Sequence, residues 1–307
     1  MSNFRAFVHT VLPERAVFRN YRIQLYEGIT ENSKKKIKRK LQDKVVIVTG
    51  ASSGIGKAIA FEYAKNGAKV VLAARNTEKL LRIKLDIEKS GGTAVYVETD
   101  VSKKTDCENL INQTIKHFGK IDILVNNAGI SMRAAFVKMK LEVIEKVMNI
   151  NFWGTVYCSK FALPYILEQK GSIIGISSIS GLTPLPGRTG YVASKYAMDG
   201  FLNTLRIEYM KKGLHVLVVH PGFTSSNIRN VALNEAGRSQ KETPRNENRM
   251  MSAEKVAKIV VHANIKRKRD LVLTMQGKMA VWVYKNFPRL ADKLIYKEMS
   301  KEPDSPF

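Results

Sequence analysis

The chain has 307 residues, 44% of them hydrophobic, enough for one core of about 250 residues with terminal extensions. Its 51 lysines and arginines outnumber 27 acidic residues, and the formal charge of +24 indicates either a polyanionic contact such as anionic lipid or merely a solvated basic surface. The two cysteines have no paired spacing, which excludes a disulfide framework, and the scattered histidines exclude a metal site. The chain also lacks a basic run with interleaved aromatic residues, the pattern that would indicate a nucleic-acid partner.

Residues 1–40 are predicted to form a basic, amphipathic N-terminal extension. Apolar residues recur at helical spacing within 1–29, and the run KKKIKRK follows at 34–40. This segment either lies on an anionic membrane surface or packs on the protein's own body or a partner subunit, and the sequence leaves both open. No run of 18 apolar residues and no secretory signal is present, so we expect a cytoplasmic protein, with peripheral membrane contact as the alternative.

From residue 41 onward, short β-branched runs alternate with stretches of helical periodicity. This alternation predicts an α/β fold with a doubly wound parallel sheet of the Rossmann type and helices on both faces. We expect a single domain over 41–275 and a helical C-terminal extension over 276–307. The predicted strands cover residues 45–48, 69–74, 93–98, 121–125, 172–177, 214–219 and 271–274.

Helical periodicity fills the intervals between these strands. Behind the basic cluster KRKR at 266–269, apolar residues between 279 and 295 predict one C-terminal helix, with Trp282 and Tyr284 suited to a membrane interface. Packing of that helix against the polar segment 223–252 or a second subunit is the alternative. One further helix is predicted to start at residue 57, and another to follow the second strand and end at about residue 90. The remaining helices are predicted over 103–118, 138–149, 152–169 with a bend at Pro164, and 190–212.

A glycine-rich turn, TGASSGIG, follows the first strand and leads directly into a helix. Glycines let the backbone approach a ligand closely, and a helix N-terminus presents free N–H groups and a positive dipole end to a pyrophosphate. A tight turn without a ligand is the alternative. The residues predicted to line this phosphate site are Gly50, Ser52, Ser53, Gly54, Ile55 and Gly56.

Unusual residues also follow the other predicted strands. In a parallel sheet, ligands bind at the carboxyl ends of the strands, near the point where the strand order reverses. Six strand ends directed at one crevice therefore predict one binding site. Besides the glycine-rich turn, the residues at these ends are Arg75, Asp100 with Val101, the NNAG run of Asn126, Asn127, Ala128 and Gly129, Ser177 with Ser178, and Pro221 with Gly222.

Tyr191 and Lys195 are four residues apart on a predicted helix, and hence on one face of it. A tyrosine with its usual pKa of about 10 is a poor acid or base at neutral pH, and a neighbouring ammonium would lower that pKa. A chance surface contact is the alternative. Ser178 ends the fifth strand, where its hydroxyl can hold a carbonyl oxygen. Asn151 begins the long helix, where it either anchors a proton path or caps the helix.

These motifs, TGASSGIG, NNAG, Ser178 and YVASK, resemble those of the short-chain dehydrogenase/reductase family over residues 41 to about 275. The sequence is also similar to the 11β-hydroxysteroid-dehydrogenase-like branch, whose substrates are lipophilic. The resemblance implies hydride transfer between a nicotinamide cofactor and a carbonyl or secondary alcohol, and hence a catalytic domain over 41–275.

The resemblance also implies roles for individual residues. Tyr191 would be the general acid/base, Lys195 would lower its pKa and bind the nicotinamide ribose, Ser178 would polarise the substrate carbonyl, and Asn151 would complete the proton relay. The segment 223–252 would be the substrate lid. Further cofactor contacts would come from Asp100, Val101, Asn127, Ala128, Gly129, Pro221, Gly222 and Thr224.

The end of the second strand indicates which nicotinamide cofactor is used. An acidic residue there would bind the ribose 2′-OH of NAD, whereas this chain has Arg75, which can pair with a 2′-phosphate. We therefore expect NADP(H) to be favoured over NAD(H), with reduction as the direction in the cell. A surface arginine with NAD tolerated is the alternative.

The predicted activity is an NADP(H)-dependent oxidoreductase acting on a small lipophilic ketone or alcohol, in a homo-oligomer. Tyr191, Lys195, Ser178 and Asn151 occur together, and this favours an enzyme because a sensor needs no proton-transfer groups. A non-catalytic NADP(H)-binding sensor or scaffold that uses its basic surface for partners is the alternative.

Overall fold

The computed structural model describes residues 40–224, 228–240, 250–302 and 305–306. The predicted amphipathic extension, apart from Lys40, lies outside the described residues, as do positions 225–227 and 241–249 of the expected substrate lid. The described residues from 40 onward belong to one compact unit.

A parallel seven-stranded sheet forms the centre of this unit, as predicted. Its spatial order is β3-β2-β1-β4-β5-β6-β7, so the chain reverses direction across the sheet between β1 and β4. The inner strands are β-branched and buried, because helices cover both faces. The strands are β1 Val45–Thr49, β2 Lys69–Ala74, β3 Thr93–Glu98, β4 Ile123–Asn126, β5 Ser172–Ile176, β6 His215–His220 and β7 Asp270–Val272.

Nine α-helices occur within the described ranges. Helix α1 packs against α7, and α3 packs against α5 over a core cluster that also includes side chains of α6. The doubly wound α/β architecture predicted from the alternation of elements is confirmed. The helices are α1 Gly54–Lys65, α2 Thr77–Lys89, α3 Lys104–Phe118, α4 Leu141–Met148, α5 Gly154–Glu168, α6 Thr189–Glu208, α7 Ala253–Ile265, α8 Met275–Asn286 and α9 Pro288–Met299.

The helical stretch before β5 differs from the prediction. Helices α4 and α5 are joined by a π-helical turn, Asn149–Trp153, so no helix begins at residue 152. Asn151 lies inside this continuous run, and its proposed role as a helix cap is wrong. A π turn is wider than an α turn and is often found at functional sites, because it redirects a side chain without ending the helix.

The C-terminal region also differs from the prediction of one helix between residues 279 and 295. The chain breaks at Phe287, and Pro288 starts α9 as its first residue, a position where the missing N–H is harmless. The ring of Trp282 contacts that of Phe287 edge-on, at 5.7 Å between centroids. Among the helices of the described ranges, none has the length and hydropathy needed to cross a bilayer.

Part of the basic cluster at 266–269 has a structural role. Arg267 has a φ of 48°, and its guanidinium donates to the carbonyl oxygens of Lys170 and Gly213 at 3.2 and 2.7 Å. Nε of Arg269 lies 2.9 Å from a carboxylate oxygen of Asp270. These contacts tie the turn between α7 and β7 to the turns beside β5 and β6.

Candidate active site

The glycine turn after β1 can only be built with glycine at its contact points. Gly50 and Gly54 have φ values of +66° and +54°, in the left-handed region that favours glycine. A Cβ on Gly56 would overlap Nδ2 of Asn127 and the carbonyl oxygen of Gly50. The turn is therefore packed tightly against the loop that follows β4.

Helix α1 begins at Gly54, directly under this turn. Its N-cap residue, Ser53, makes no side-chain capping hydrogen bond, and the first turn contains no acidic residue. Ser52 and Ile55 are half-buried beside it. The N–H groups of the first turn and the positive end of the helix dipole therefore lack a side-chain acceptor, and this fits a phosphate of a dinucleotide.

Thr49, which the sequence analysis did not single out, joins the glycine turn to the loop after β4. Its hydroxyl accepts from the backbone N–H of Asn127 at 3.0 Å and of Ala128 at 3.1 Å, and donates to Val125 O at 3.2 Å. Nδ2 of Asn127 donates to Thr49 O at 2.9 Å. The two loops expected to face the cofactor are thus held as one rigid surface.

Arg75 and Asp100 follow β2 and β3 at the same edge of the sheet. Arg75 is exposed. Burial raises the pKa of Asp100, but hydrogen bonds from Ser102 and the charges of Arg75 and Lys103 outweigh this effect and lower the pKa below its usual value. The Asp100 carboxylate accepts from the hydroxyl of Ser102 at 2.7 Å. The buried side chain of Val101 packs close beneath the start of α5.

Tyr191 and Ser178 meet at the carboxyl end of β5. The Ser178 side chain lies close enough to the phenol of Tyr191 to act on its pKa. Tyr191 is only 8% exposed, and this burial raises its pKa, with the Ser178 contact and the charge of Arg188 only partly opposing the rise. The expected lowering of this pKa by Lys195 is not found: burial dominates, and the groups that oppose it are Ser178 and Arg188 rather than Lys195.

Lys195 is buried on the same face of α6. Its Nζ donates to Ile176 O at 2.9 Å and lies 5.9 Å from the centroid of the Tyr191 ring. Burial lowers the pKa of Lys195 from 10.5 to about 8, while the negative charge of Asp199 opposes this effect. The amine thus lies beside the phenol ring but is bonded to the end of β5.

Asn151 connects the loop after β4 with α6. Its Oδ1 accepts from Ile130 N at 2.9 Å, and its Nδ2 donates to Ile130 O at 3.0 Å and to Oγ of Ser194 at 2.9 Å. Ser194 in turn donates to Tyr191 O at 2.7 Å. A Cβ on Gly129 would lie 3.1 Å from Oδ1 of Asn151 and 3.6 Å from Nζ of Lys195, so these groups share one site.

The loop after β6 borders the same site. Pro221 O accepts from Ile179 N at 3.0 Å, one residue beyond Ser178. A Cβ on Gly222 would lie 2.6 Å from Oγ1 of Thr274, and Thr224 is buried. The structure thus brings the four expected catalytic residues together, with all the expected cofactor-binding segments at the carboxyl ends of the strands.

A C-terminal contact at this site was missed by the sequence analysis. Oε2 of Glu302 lies 3.2 Å from Nη2 of Arg188 and 3.5 Å from Nε of Arg133, and all three side chains are largely buried. Arg188 precedes α6 and Arg133 lies in the loop after β4. No local pattern signals this contact, because 114 residues separate Arg188 from Glu302.

A separate groove of about 1220 Å³ lies between α1, α7 and the turn after α2. Its described lining includes Gly54 and Lys57 but does not include Tyr191, Ser178 or Lys195. The described lining of the groove therefore contains none of these three expected catalytic residues.

Comparison with known sequences identifies related proteins. The family model for short chain dehydrogenase matches residues 44–237. The 11-beta-hydroxysteroid dehydrogenase A of Sesamum indicum is 34% identical over 271 residues, covering 85% of this chain and 78% of that protein. The 11-beta-hydroxysteroid dehydrogenase-like 2 of Arabidopsis thaliana is 41% identical over 187 residues. In that comparison the chain spans 60% of the relative's length.

Solved structures share the fold. A dehydrogenase/reductase from Sinorhizobium meliloti 1021 is 29% identical, with a TM-score of 0.69 over 80% of this chain and 98% of that one. A short chain dehydrogenase/reductase from Burkholderia phymatum in complex with NAD is 24% identical, with a TM-score of 0.73 over 81% of this chain and 95% of that one. The second likeness shows the fold alone.

Proposed function

Because the chain belongs to the short-chain dehydrogenase/reductase family, and is therefore an oxidoreductase, we propose that it transfers a hydride between NADP(H) and a carbonyl or secondary alcohol of a lipophilic substrate. The observation that carries this proposal is the buried phenol of Tyr191, with the side chains of Ser178 and Lys195 beside it at the carboxyl-end edge of the sheet, the edge at which the uncapped helix α1 also begins.

The bound cofactor would supply the hydride, and the protein positions the reactants and handles the proton. Tyr191 holds its proton at neutral pH because its pKa is raised, so its hydroxyl is suited to donate to a carbonyl oxygen. Ser178, whose side chain lies close to that phenol, can donate to the same oxygen. Asn151 fixes α6 through Ser194, and so fixes the direction of the phenol.

The residues present fit a dinucleotide. Gly50, Gly54 and Gly56 give the backbone close approach, and α1 leaves its first N–H groups without a side-chain cap. The loop of Asn127, Ala128 and Gly129 is fixed against this turn. Contacts from Asp100 and Val101, from Lys195 to the ribose, and from Pro221, Gly222 and Thr224 on the nicotinamide side complete the proposed site.

The choice of NADP(H) over NAD(H) rests on Arg75. This side chain is exposed after β2, and no acidic residue replaces it at that position. A guanidinium is able to bind a 2′-phosphate in a bidentate way. A 24% identical neighbour is a complex with 5-hydroxy-NADP, and another is a complex with NAD, so the neighbours do not decide the question.

Comparison of kcat/KM for NADPH and NADH tests this preference. We expect wild type to prefer NADPH, and Arg75→Ala to reduce the preference by roughly tenfold to a hundredfold, because one charged contact is lost. Arg82→Ala removes another exposed arginine, on α2, and should leave the preference unchanged. A wild-type preference for NADH would contradict the proposal.

A lipophilic substrate is supported by the surroundings of Tyr191. The phenol belongs to an apolar cluster that also contains Met132 from the loop after β4 and Leu233 from the proposed lid. Ile130 and Ile228 pack against it while remaining partly accessible. Two of the relatives have 11-beta-hydroxysteroid dehydrogenase in their names, and this favours a lipophilic substrate as well.

The activity is tested with NADPH and a panel of lipophilic ketones and aldehydes. We expect turnover that falls at least about a hundredfold in Tyr191→Phe, because the proton donor is lost while the ring is kept. Tyr196→Phe, on the same helix, is the matched control and should retain activity. NADPH binding without turnover of any compound would refute the enzyme and favour a sensor or scaffold.

We also propose peripheral contact with anionic membranes and homo-oligomeric assembly. The charge of +24 supports the first, because basic surfaces are drawn to anionic lipid. Flotation with vesicles of mixed neutral and anionic lipid, with and without residues 1–40, tests it, and unchanged partition after truncation would exclude the extension as anchor. Light scattering coupled to size-exclusion chromatography tests assembly, and a monomeric mass would refute it.

A further inference from the structure

Three buried polar side chains lie together behind Lys195, and the proposed reaction does not use them. They are Asp199 on α6, His220 at the end of β6 and Ser177 just after β5, with exposures of 6%, 3% and 5%. Nε2 of His220 lies 3.0 Å from Oδ2 of Asp199. Three separate elements thus converge on one polar cluster next to the catalytic residues.

Gly181, in the short turn after Ser178, allows this cluster to close. A Cβ there would overlap Oδ2 of Asp199 and lie 2.7 Å from Oγ of Ser177. Oγ of Ser177, Oδ1 of Asp199 and Nδ1 of His220 make no hydrogen bond with any described residue. Leaving polar atoms unpaired in the interior is unfavourable, so a carboxylate kept here calls for a role beyond packing.

Besides its partner His220, the Asp199 carboxylate acts on Lys195 through its charge. Asp199 follows Lys195 by four residues on α6, so both side chains lie on one face of the helix. The Lys195 side chain is 3% exposed, and a buried ammonium is unfavourable without a nearby negative charge. Asp199 provides this negative charge, although its carboxylate is farther from the amine of Lys195 than in a direct ion pair.

We propose that Asp199, oriented by His220, is a positioning residue that keeps the buried amine of Lys195 in its charged form. This inference rests on the proposed function, because the charged amine matters through the cofactor ribose and the phenol of Tyr191. Other titratable or charged side chains near this cluster include Tyr191 on α6, whose ring centroid is 5.9 Å from the amine, Arg188 just before α6, whose charge acts on Tyr191, and His220 on β6, which is bonded to Asp199.

The pKa values around the site support this role. The charge of Asp199 raises the pKa of Lys195, which burial lowers to about 8. Asp199 also raises the pKa of Tyr191, whose titration therefore lies above that of Lys195. As the pH rises, activity should thus first be lost when Lys195 releases its proton, and removing the Asp199 carboxylate should move that loss to lower pH.

The experiment is a pH profile of kcat/KM for ketone reduction with NADPH between pH 5.5 and 9.5. In Asp199→Asn we expect the alkaline limb to move down by roughly one pH unit, the size of a buried charge interaction across one helical turn. Activity should then fall roughly fivefold relative to wild type at pH 8 and change little at pH 6. Asp199→Glu, which keeps the charge, should leave the limb near its wild-type position.

Asp122→Asn is the matched control. Asp122 is also buried, but it lies at the opposite end of the sheet, where it binds Lys44 and the N–H of Val45. This change should lower the melting temperature without moving the alkaline limb. A general loss of stability is thereby separated from an effect on Lys195.

His220→Gln provides a second test if Asp199→Asn does not fold. It leaves the carboxylate but removes its ring partner, so a smaller downward movement of the same limb is expected. If Asp199→Asn folds and its alkaline limb lies at the wild-type position, this inference is overturned while the proposed function stays intact. If Asp199→Asn does not fold, a folded His220→Gln with an unmoved alkaline limb has the same consequence. No NADPH turnover in wild type would instead refute the proposed function.

Discussion

Replacing Lys195 by methionine tests whether the buried amine in this candidate active site lowers the stability of the folded protein. The ammonium is buried, and its pKa falls from 10.5 to about 8. This difference corresponds to about 3 kcal/mol by which the folded protein disfavours the charged form. The variant also loses the hydrogen bond to Ile176 O, worth about 1 kcal/mol. Lys195→Met should therefore be more stable than wild type by about 2 kcal/mol at pH 7.

The pH dependence of this difference makes the prediction specific. Between pH 8 and 10.5 the folded wild type has released the Lys195 proton while the unfolded chain still holds it. The unfolded state then binds more protons, so the stability of wild type rises with pH in this window. Below pH 8 both states are protonated and the destabilisation is present in full. The advantage of the variant should shrink to less than about 1 kcal/mol at pH 9.5.

The assay is urea unfolding followed by circular dichroism at pH 7.0 and 9.5 for both proteins. Lys160→Met, at an exposed position of α5, is the control and should change stability equally at the two pH values. An advantage of Lys195→Met that is the same at both pH values would refute the reasoning. So would a variant that is less stable than wild type at pH 7.

Three further changes have defined outcomes. Gly56→Ala places a Cβ against Asn127 Nδ2 and should weaken NADPH binding at least tenfold in a fluorescence titration, and unchanged affinity would contradict this. Glu302→Gln weakens the contact with Arg188, so limited proteolysis should release the C-terminus faster, while equal rates would argue against an anchoring role. Asn264→Leu removes a hydrogen-bond partner from the buried hydroxyls of Tyr63 and Ser172, so the free energy of unfolding in urea should fall by about 2 kcal/mol. An unchanged free energy of unfolding would show that both hydroxyls find other partners.

The sheet and the glycine-rich turn after β1 were predictable from local sequence. Runs such as 69–74 and 93–98 are β-branched and bounded by turn residues, and their predicted limits equal those of β2 and β3. The glycine turn could be placed because a left-handed backbone and close packing each require glycine. The residues that mark these features are close together along the chain, so one sequence is sufficient to locate them.

Other features depend on contacts that spacing does not encode. The π turn at Asn149–Trp153 has the same apolar periodicity as an α-helix, and its wider geometry has no compositional signal. The four-residue spacing placed Lys195 on the face of Tyr191, but it did not reveal that Nζ reaches Ile176 O. Nor did it reveal how deeply both groups are buried, and burial decides the direction of both pKa changes.

Burial acts in opposite directions on the two central groups. It holds the proton on Tyr191 by raising its pKa, and it promotes loss of the proton from Lys195 by lowering its pKa. A negative charge near both groups strengthens the first effect and opposes the second. Asp199 is such a charge, because it raises both pKa values. With the carboxylate in place, both groups keep their protons near neutral pH. That state would suit the proposed reduction, in which the phenol would give a proton to the substrate oxygen, whereas oxidation would require a phenol ready to accept one.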